Sequence, residues 1–224
     1  MKTHLPRLAT ALICSLLLFG CAPTLPTPSP LPDPAASDIS ADTKDGNFLT
    51  TDDPVWGDAK APMTMVVFSD FQCPFCAQLA QTLDKIEADW IKTGKLKVQY
   101  RDFPLAGHKN SLSAHIAAAA ALRQGKYWEY HQRLYREQAS WETLKTPSDY
   151  LVKLAQDLNL DMDKFVSDYN DPAIVRELID DRNAGRRTGM EGTPAFLING
   201  KLYQGALPID KLVKELEATT HPKP

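Results

Sequence analysis

The sequence predicts an α/β domain: a small sheet with flanking helices, interrupted by a block of helices. Three observations carry this. A continuous apolar run, Met63 to Phe68, reads as a buried strand and passes almost directly into a helical stripe. About eighty residues in the middle of the chain then carry only helical signals. Strand character returns late, in "PAFLING", and a last amphipathic segment follows it.

In chain order, the first twenty residues, "MKTHLPRLATALICSLLLFG", pair two cationic side chains, Lys2 and Arg7, with an apolar run from Leu8 to Phe19. That run is short for a bilayer span and reads as an export signal over residues 1–20. It ends in "LLFGC", which resembles the lipobox of bacterial lipoproteins, with Gly20 preceding Cys21 as the residue that takes the lipid. Phe19 is bulkier than that pattern usually has, and an ordinary cleavable signal with an incidental cysteine is the alternative. Residues 21–46 hold six prolines and no helical or strand period, so they read as a lipid-anchored, Pro-rich linker unable to order itself. Extended at about 3.1 Å per residue, such a linker spans some tens of Å.

From about Asn47 the composition turns globular. "PFCAQLAQTLDKIEADWI" places Leu79, Leu83, Ile86, Trp90 and Ile91 on a helical stripe, and "KLKVQYRDF" alternates as a strand does. With the Met63 to Phe68 strand they form a strand, helix, strand unit with a right-handed crossover. The helical block, about 108–188, shows an alanine-rich helix broken at Gly125, a helix capped by Ser148 after Pro147, and one with Pro172 near its start and Gly189 near its end. "PAFLING" leads through Asn199-Gly200 into "KLYQGA", a hairpin signal, and the closing helix carries Leu207, Leu212, Val213 and Leu216. The 224 residues, 43% hydrophobic and 24% charged, fit one medium domain, or one with an insertion, that can build its core without staples.

Net charge excludes one class of partner. The chain carries −3, and without Lys2 and Arg7 its 23 basic side chains face 28 acids, a balance of −5. With no basic stripe to neutralise phosphates, nucleic acid is not expected as a partner.

The chemistry lies in "SDFQCPFCAQLA". After loss of Cys14 with the signal and use of Cys21 by lipid, the exported domain keeps only Cys73 and Cys76, in a compartment where disulfides persist. A zinc site needs four ligands, and His108, His115, His131 and His221 supply no second close-spaced half. Copper transfer suits a thiolate pair, yet no methionine or histidine cluster accompanies it. A staple closing so short a loop contributes little. Redox chemistry fits the placement. Cys73 stands where a buried strand meets a helix, with Pro74 at the first helical position. The unpaired N–H groups and positive dipole end there favour a thiolate, which makes Cys73 the nucleophile and Cys76, one turn on and more buried, the resolving thiol. No cofactor beyond the Cys73–Cys76 disulfide and no metal is needed.

"FSDFQCPFC", "FPLAGHKNSLSAHIAAAAALRQGKYWEYHQRLY" and "GMEGTPAFLING" together resemble the DsbA-like branch of the thioredoxin superfamily, exported bacterial thiol-disulfide oxidoreductases, over about Asp53 to Thr219. The resemblance implies a thioredoxin fold, a central mixed sheet flanked by helices, with an inserted helical domain, over residues 47–219. It implies a cis peptide bond at Pro194 opposite the cysteines, with Thr193 offering backbone groups to an extended substrate. It also implies cysteine-bearing exported polypeptides as substrates and a membrane redox partner that resets the site, at the cell envelope. Oxidation is the leading direction. Reduction or isomerisation is the alternative, and a non-catalytic lipoprotein binding module or metallochaperone a further one.

Two positions depart from the family. Many relatives carry a glutamate six residues before the nucleophile, where this chain has Val67, so proton transfer falls to water, Asp70 or another group. Asp70 reads equally as a capping acid. Phe75 stands where the best-known oxidases have histidine and cannot donate to the thiolate, so Cys73 is expected to be less acidic than theirs. His108, His115 and the aromatics Tyr127, Trp128, Tyr130 and Tyr135 read as surface or core residues of the insertion.

Overall fold

A computed structural model of the chain describes residues 23–31 and 53–220; residues 1–20, expected to be an export signal, Cys21, residues 32–52 and His221 lie outside the described residues. Five strands form one mixed sheet in the order β1-β3-β2-β4-β5: β1 Val55–Trp56, β2 Met63–Ser69, β3 Leu96–Asp102, β4 Ala195–Ile198 and β5 Lys201–Gln204. β2 and β3 run parallel, and the other pairs are antiparallel. β2 is apolar without alternation because it is covered on both faces. Met63, Met65 and Val67 feed the main core, while Val66 and Phe68 join Phe103, Ala184 and Leu197 in a smaller one.

Helix α1, Pro74–Ile86, crosses from β2 to β3. Its continuation, Glu87–Ile91, is a π-helical turn rather than the α-helix the stripe predicts, closed by Lys92 N donating to Glu87 O at 2.8 Å. The insertion comprises α2 Ser111–Leu122, α3 Tyr127–Arg136, α4 Gln138–Trp141, α5 Ser148–Asp157, α6 Met162–Tyr169 and α7 Pro172–Arg187. α2 is buried on nearly every side among α3, α5, α6 and α7, which its alanines permit by letting neighbouring helices approach closely. Ser148 is the first residue of α5 rather than its cap, and makes no capping hydrogen bond. α7 starts at Pro172, capped by Asp171, and is tied to the sheet by Asp181, which accepts from Arg101 Nη2 at 2.6 Å and Asp102 N at 2.9 Å. The β4–β5 hairpin turns through Asn199 and Gly200, both at positive φ, and α8, Ile209–Thr220, closes the fold with Leu212 and Leu216 buried.

The Pro-rich segment corrects an expectation. Residues 23–31 were expected to lie free as part of a linker, yet Leu25 is 6% exposed within the main core and Leu31 packs against it. Thr27, Pro28, Pro30 and Leu31 wall a cavity of about 320 Å³ with Pro104, Leu105, His108 and Leu112. The segment cannot bury apolar surface by itself, but the domain supplies a surface on which a preformed extended chain loses little entropy.

Candidate active site

The end of β2 delivers Ser69 and Asp70, and a tight turn, Cys73 N donating to Asp70 O at 3.0 Å, places Cys73 at the N-cap of α1 in extended conformation. Pro74 occupies the first helical position, where the missing N–H loses no hydrogen bond. The insertion holds this turn from one side. Gln138 Nε2 donates to Phe71 O at 2.7 Å and Cys73 O at 3.1 Å, and Asn110 N donates to Gln72 Oε1 at 2.8 Å. The β4 side closes the other. The Thr193–Pro194 bond is cis, and Cys73 Sγ donates to Thr193 O at 3.3 Å. Phe75, between the cysteines, is 57% exposed beside this cleft.

Both cysteines are free thiols, buried, and electrostatically unequal. The Cys76 side chain hydrogen-bonds Cys73 and is the main reason its pKa falls to about 6. Burial opposes this, while Thr193 and the N–H groups of Cys76 and Phe75 reinforce it. Burial pushes Cys76 well above the usual thiol range, and the neighbouring Cys73 charge adds to that. The pair is therefore arranged as one stabilised thiolate and one protonated partner.

Asp70 is fully buried. It accepts from Gln72 N at 2.7 Å, Leu105 N at 2.7 Å and His108 Nδ1 at 2.9 Å, while its own N–H reaches Cys76 Sγ at 3.4 Å. Burial works against its charge, but His108 and the other donors hold its carboxyl below the ordinary range. The Asp70 hydrogen bond in turn raises the His108 pKa, against partial burial, with a further contribution from the Cys73 charge.

His108 thus comes to the site, contrary to its reading as a remote insertion residue, because the β3–α2 loop folds back over the β2 end. His115, buried in the core with Nδ1 2.5 Å from Asp102 Oδ1, also reaches the turn, its Nε2 accepting from Phe71 N at 3.4 Å. Two further residues escape sequence reasoning. The Ser69 hydroxyl adjoins Cys76 and offsets part of the rise in its pKa, and Tyr135 OH lies 2.6 Å from Ser69 Oγ. A serine at a strand end and an aromatic on a helical stripe carry no motif that joins them. Among the described residues there is no group of three or more metal-ligating side chains.

A five-stranded mixed sheet, an N-capping cysteine pair and a cis-proline facing it define the thioredoxin class of fold. The chain belongs to the thioredoxin family, whose signature it matches over residues 49–218. The alpha-DsbA1 variant from Wolbachia pipientis superposes with a TM-score of 0.69 at 24% identity, covering 77% of this chain and 92% of that one. The thiol-disulfide exchange protein alpha-DsbA2 from the same organism gives 0.67 at 25% identity, covering 79% and 91%. A curated relative, the Na(+)/H(+) antiporter NhaA 3 of Salinispora tropica, is 32% identical over 161 residues, 71% of this chain. The chain spans about a quarter of the length of the curated relatives it matches, 24% in that case. Among the described residues no helix is long and apolar enough to cross a membrane.

Proposed function

We propose that this protein is an exported thiol-disulfide oxidoreductase that oxidises cysteine pairs in exported polypeptides. One observation carries the reading: the Cys73 thiol, drawn down to about pKa 6 at the N-terminus of α1, faces the carbonyl of Thr193 at a cis-proline. In the oxidised protein a substrate thiolate attacks Cys73 Sγ, the Cys73–Cys76 bond breaks, and Cys76 leaves as a thiolate that takes up a proton. A second substrate thiolate then attacks the substrate sulfur of the mixed disulfide, and Cys73 leaves as the stabilised thiolate. Stabilising the leaving thiolate favours the reduced protein, and so supports oxidation as the direction. Thr193 and Pro194 shape the substrate contact, exposed Phe75 offers it an apolar edge, and Asp70 with His108 pins the loop beside the thiols. A membrane partner would reoxidise the pair.

The export signal, a lipid on Cys21 and placement at the cell envelope belong to the same proposal. Antiport, the activity in the names of the curated relatives, forms no part of it. The test is oxidation of a reduced, unfolded protein by the full chain, with the redox state of the pair read in the native cell. Substrate disulfides forming only with both cysteines present, and a pair found oxidised, would support an oxidase. A pair held reduced would indicate a reductase, and inert thiols or stoichiometric bound metal would sink the enzyme reading.

A further inference from the structure

Cys76 is 1% exposed, so its proton cannot pass straight to bulk water. The Asp70 carboxylate is held by three donors, Gln72 N, Leu105 N and His108 Nδ1, and Val67, at the place where relatives carry an acid, is fully buried and apolar. The hydroxyl beside Cys76 belongs to Ser69, which is 3% exposed and paired at 2.6 Å with Tyr135 OH, where either atom can donate. Tyr135 lines a small cavity between α1 and α3, about 30 Å³, together with His131, Gln132, Asp84 and Arg136. His131 is enclosed by aromatic rings, Tyr100 at 4.4 Å and Tyr135 at 4.9 Å, and neither of its ring nitrogens has a partner among the described residues. Burial keeps it neutral, so it needs one donor and one acceptor. The cavity has room for one or two waters beside Tyr135.

We propose that Ser69, Tyr135 and water in this cavity form the path by which Cys76 exchanges its proton with solvent, with Asp84 at the outer end. The step rests on the thiol-exchange reading above. When the mixed disulfide closes, the Cys76 proton passes to Ser69 Oγ as Ser69 hands its own to Tyr135, and Tyr135 hands its own to water beside Asp84. The Cys76 thiolate attacks Cys73 Sγ, the bond from Cys73 to the substrate sulfur breaks, and the substrate leaves as a thiolate. Opening runs the same transfers in reverse. The groups facing the path are Tyr100 from β3, Tyr127 and His131 from α3, and the Asp84–Arg136 ion pair at its mouth, 4.0 Å apart. Burial raises the Asp84 pKa, which suits a terminal proton acceptor.

The experiment follows closure of a preformed mixed disulfide on Cys73 of the full chain, in water and in deuterium oxide, for wild type and Tyr135→Phe. Tyr135→Phe should slow closure about 100-fold, the lower end of what a positioned proton carrier supplies, and enlarge the solvent isotope effect. Alkylation of Cys73 in the reduced protein, which does not need this path, should keep its rate. Unchanged closure and isotope effect, or an equal fall in Cys73 alkylation, overturns the path. If Tyr135→Phe does not fold, Asp84→Asn, altered where the side chain is 38% exposed, is judged by the same criteria. A wild type that forms no mixed disulfide at all would instead defeat the thiol-exchange reading itself.

Discussion

At the residue scale, the site works through unequal treatment of two identical side chains. Cys73 falls from 9.0 to about 6, so its thiolate stabilises the reduced protein fully above pH 9, and that contribution is lost as pH falls through 6. The reduction potential should therefore fall by about 59 mV per pH unit below pH 6, where two protons accompany two electrons, and by about 30 mV above it. Glutathione equilibration across pH 4 to 8 would show the break, and a slope without one would contradict it. The His108–Asp70 pair gives a second pH signature. The raised His108 pKa makes its contribution complete below 6.5 and lost as pH rises through the raised value; the lowered Asp70 pKa makes its share complete above 3.8 and lost as pH falls. His108→Ala should accordingly lower Tm most between about pH 4 and 6.5 and least in mild alkali, as thermal melts across that range would reveal. The CxxC spacing and Pro74 made the nucleophile legible in the sequence. His108 and Tyr135 were not legible, since each comes from a loop or helix more than thirty residues away, and Ser69, though only four residues before Cys73, belongs to no motif that marks it as a partner of the thiols.

At the element scale, the insertion is fastened to the sheet by contacts that periodicity does not announce. Gly185 lies inside α7, where alanine ordinarily improves a helix, yet a Cβ there would come within 2.8 Å of Met190 Sδ and Phe103 Cδ2. Gly185→Ala should cost about 1 to 2 kcal/mol, overpacking exceeding the gain in propensity, as read by chemical denaturation. Asp181→Ala would leave the buried Arg101 without one of its carboxylates and should cost about 3 to 5 kcal/mol, whereas Asp180→Ala, its neighbour, serves as the control. β2 and β4 could be read as continuous apolar runs, β3 from its alternation, and the long amphipathic helices from their repeated apolar spacing. β1, with only Val55 and Trp56, is too short to show one, and its pairing with β3 comes from the sheet edge that β3 offers. The π-helical turn after Ile86 likewise shares the apolar spacing of the helix it extends.

At the scale of the whole molecule, the Pro-rich segment changes how the domain is held. Leu25 is four steps along the chain from Cys21, a span of at most about 14 Å. A lipid on Cys21 would therefore keep the domain face bearing residues 23–31 near the membrane, rather than at the end of a long tether. Leu25→Asp should release the segment: amide exchange at Leu25 and Leu31 should rise sharply, with a loss of about 2 kcal/mol, the docking energy of one buried leucine. Exchange already fast in the wild type would contradict this docking. By itself, the sequence determined the strand, helix, strand unit, the helical insertion and the cysteine pair at a helix start, because these depend on local period and spacing. The tertiary structure alone decided that His108 meets Asp70, that Ser69 and Tyr135 lie beside Cys76, and that Leu25 joins the core. Burial and long-range hydrogen bonds arise only when distant segments pack, and no local pattern encodes which segments those are.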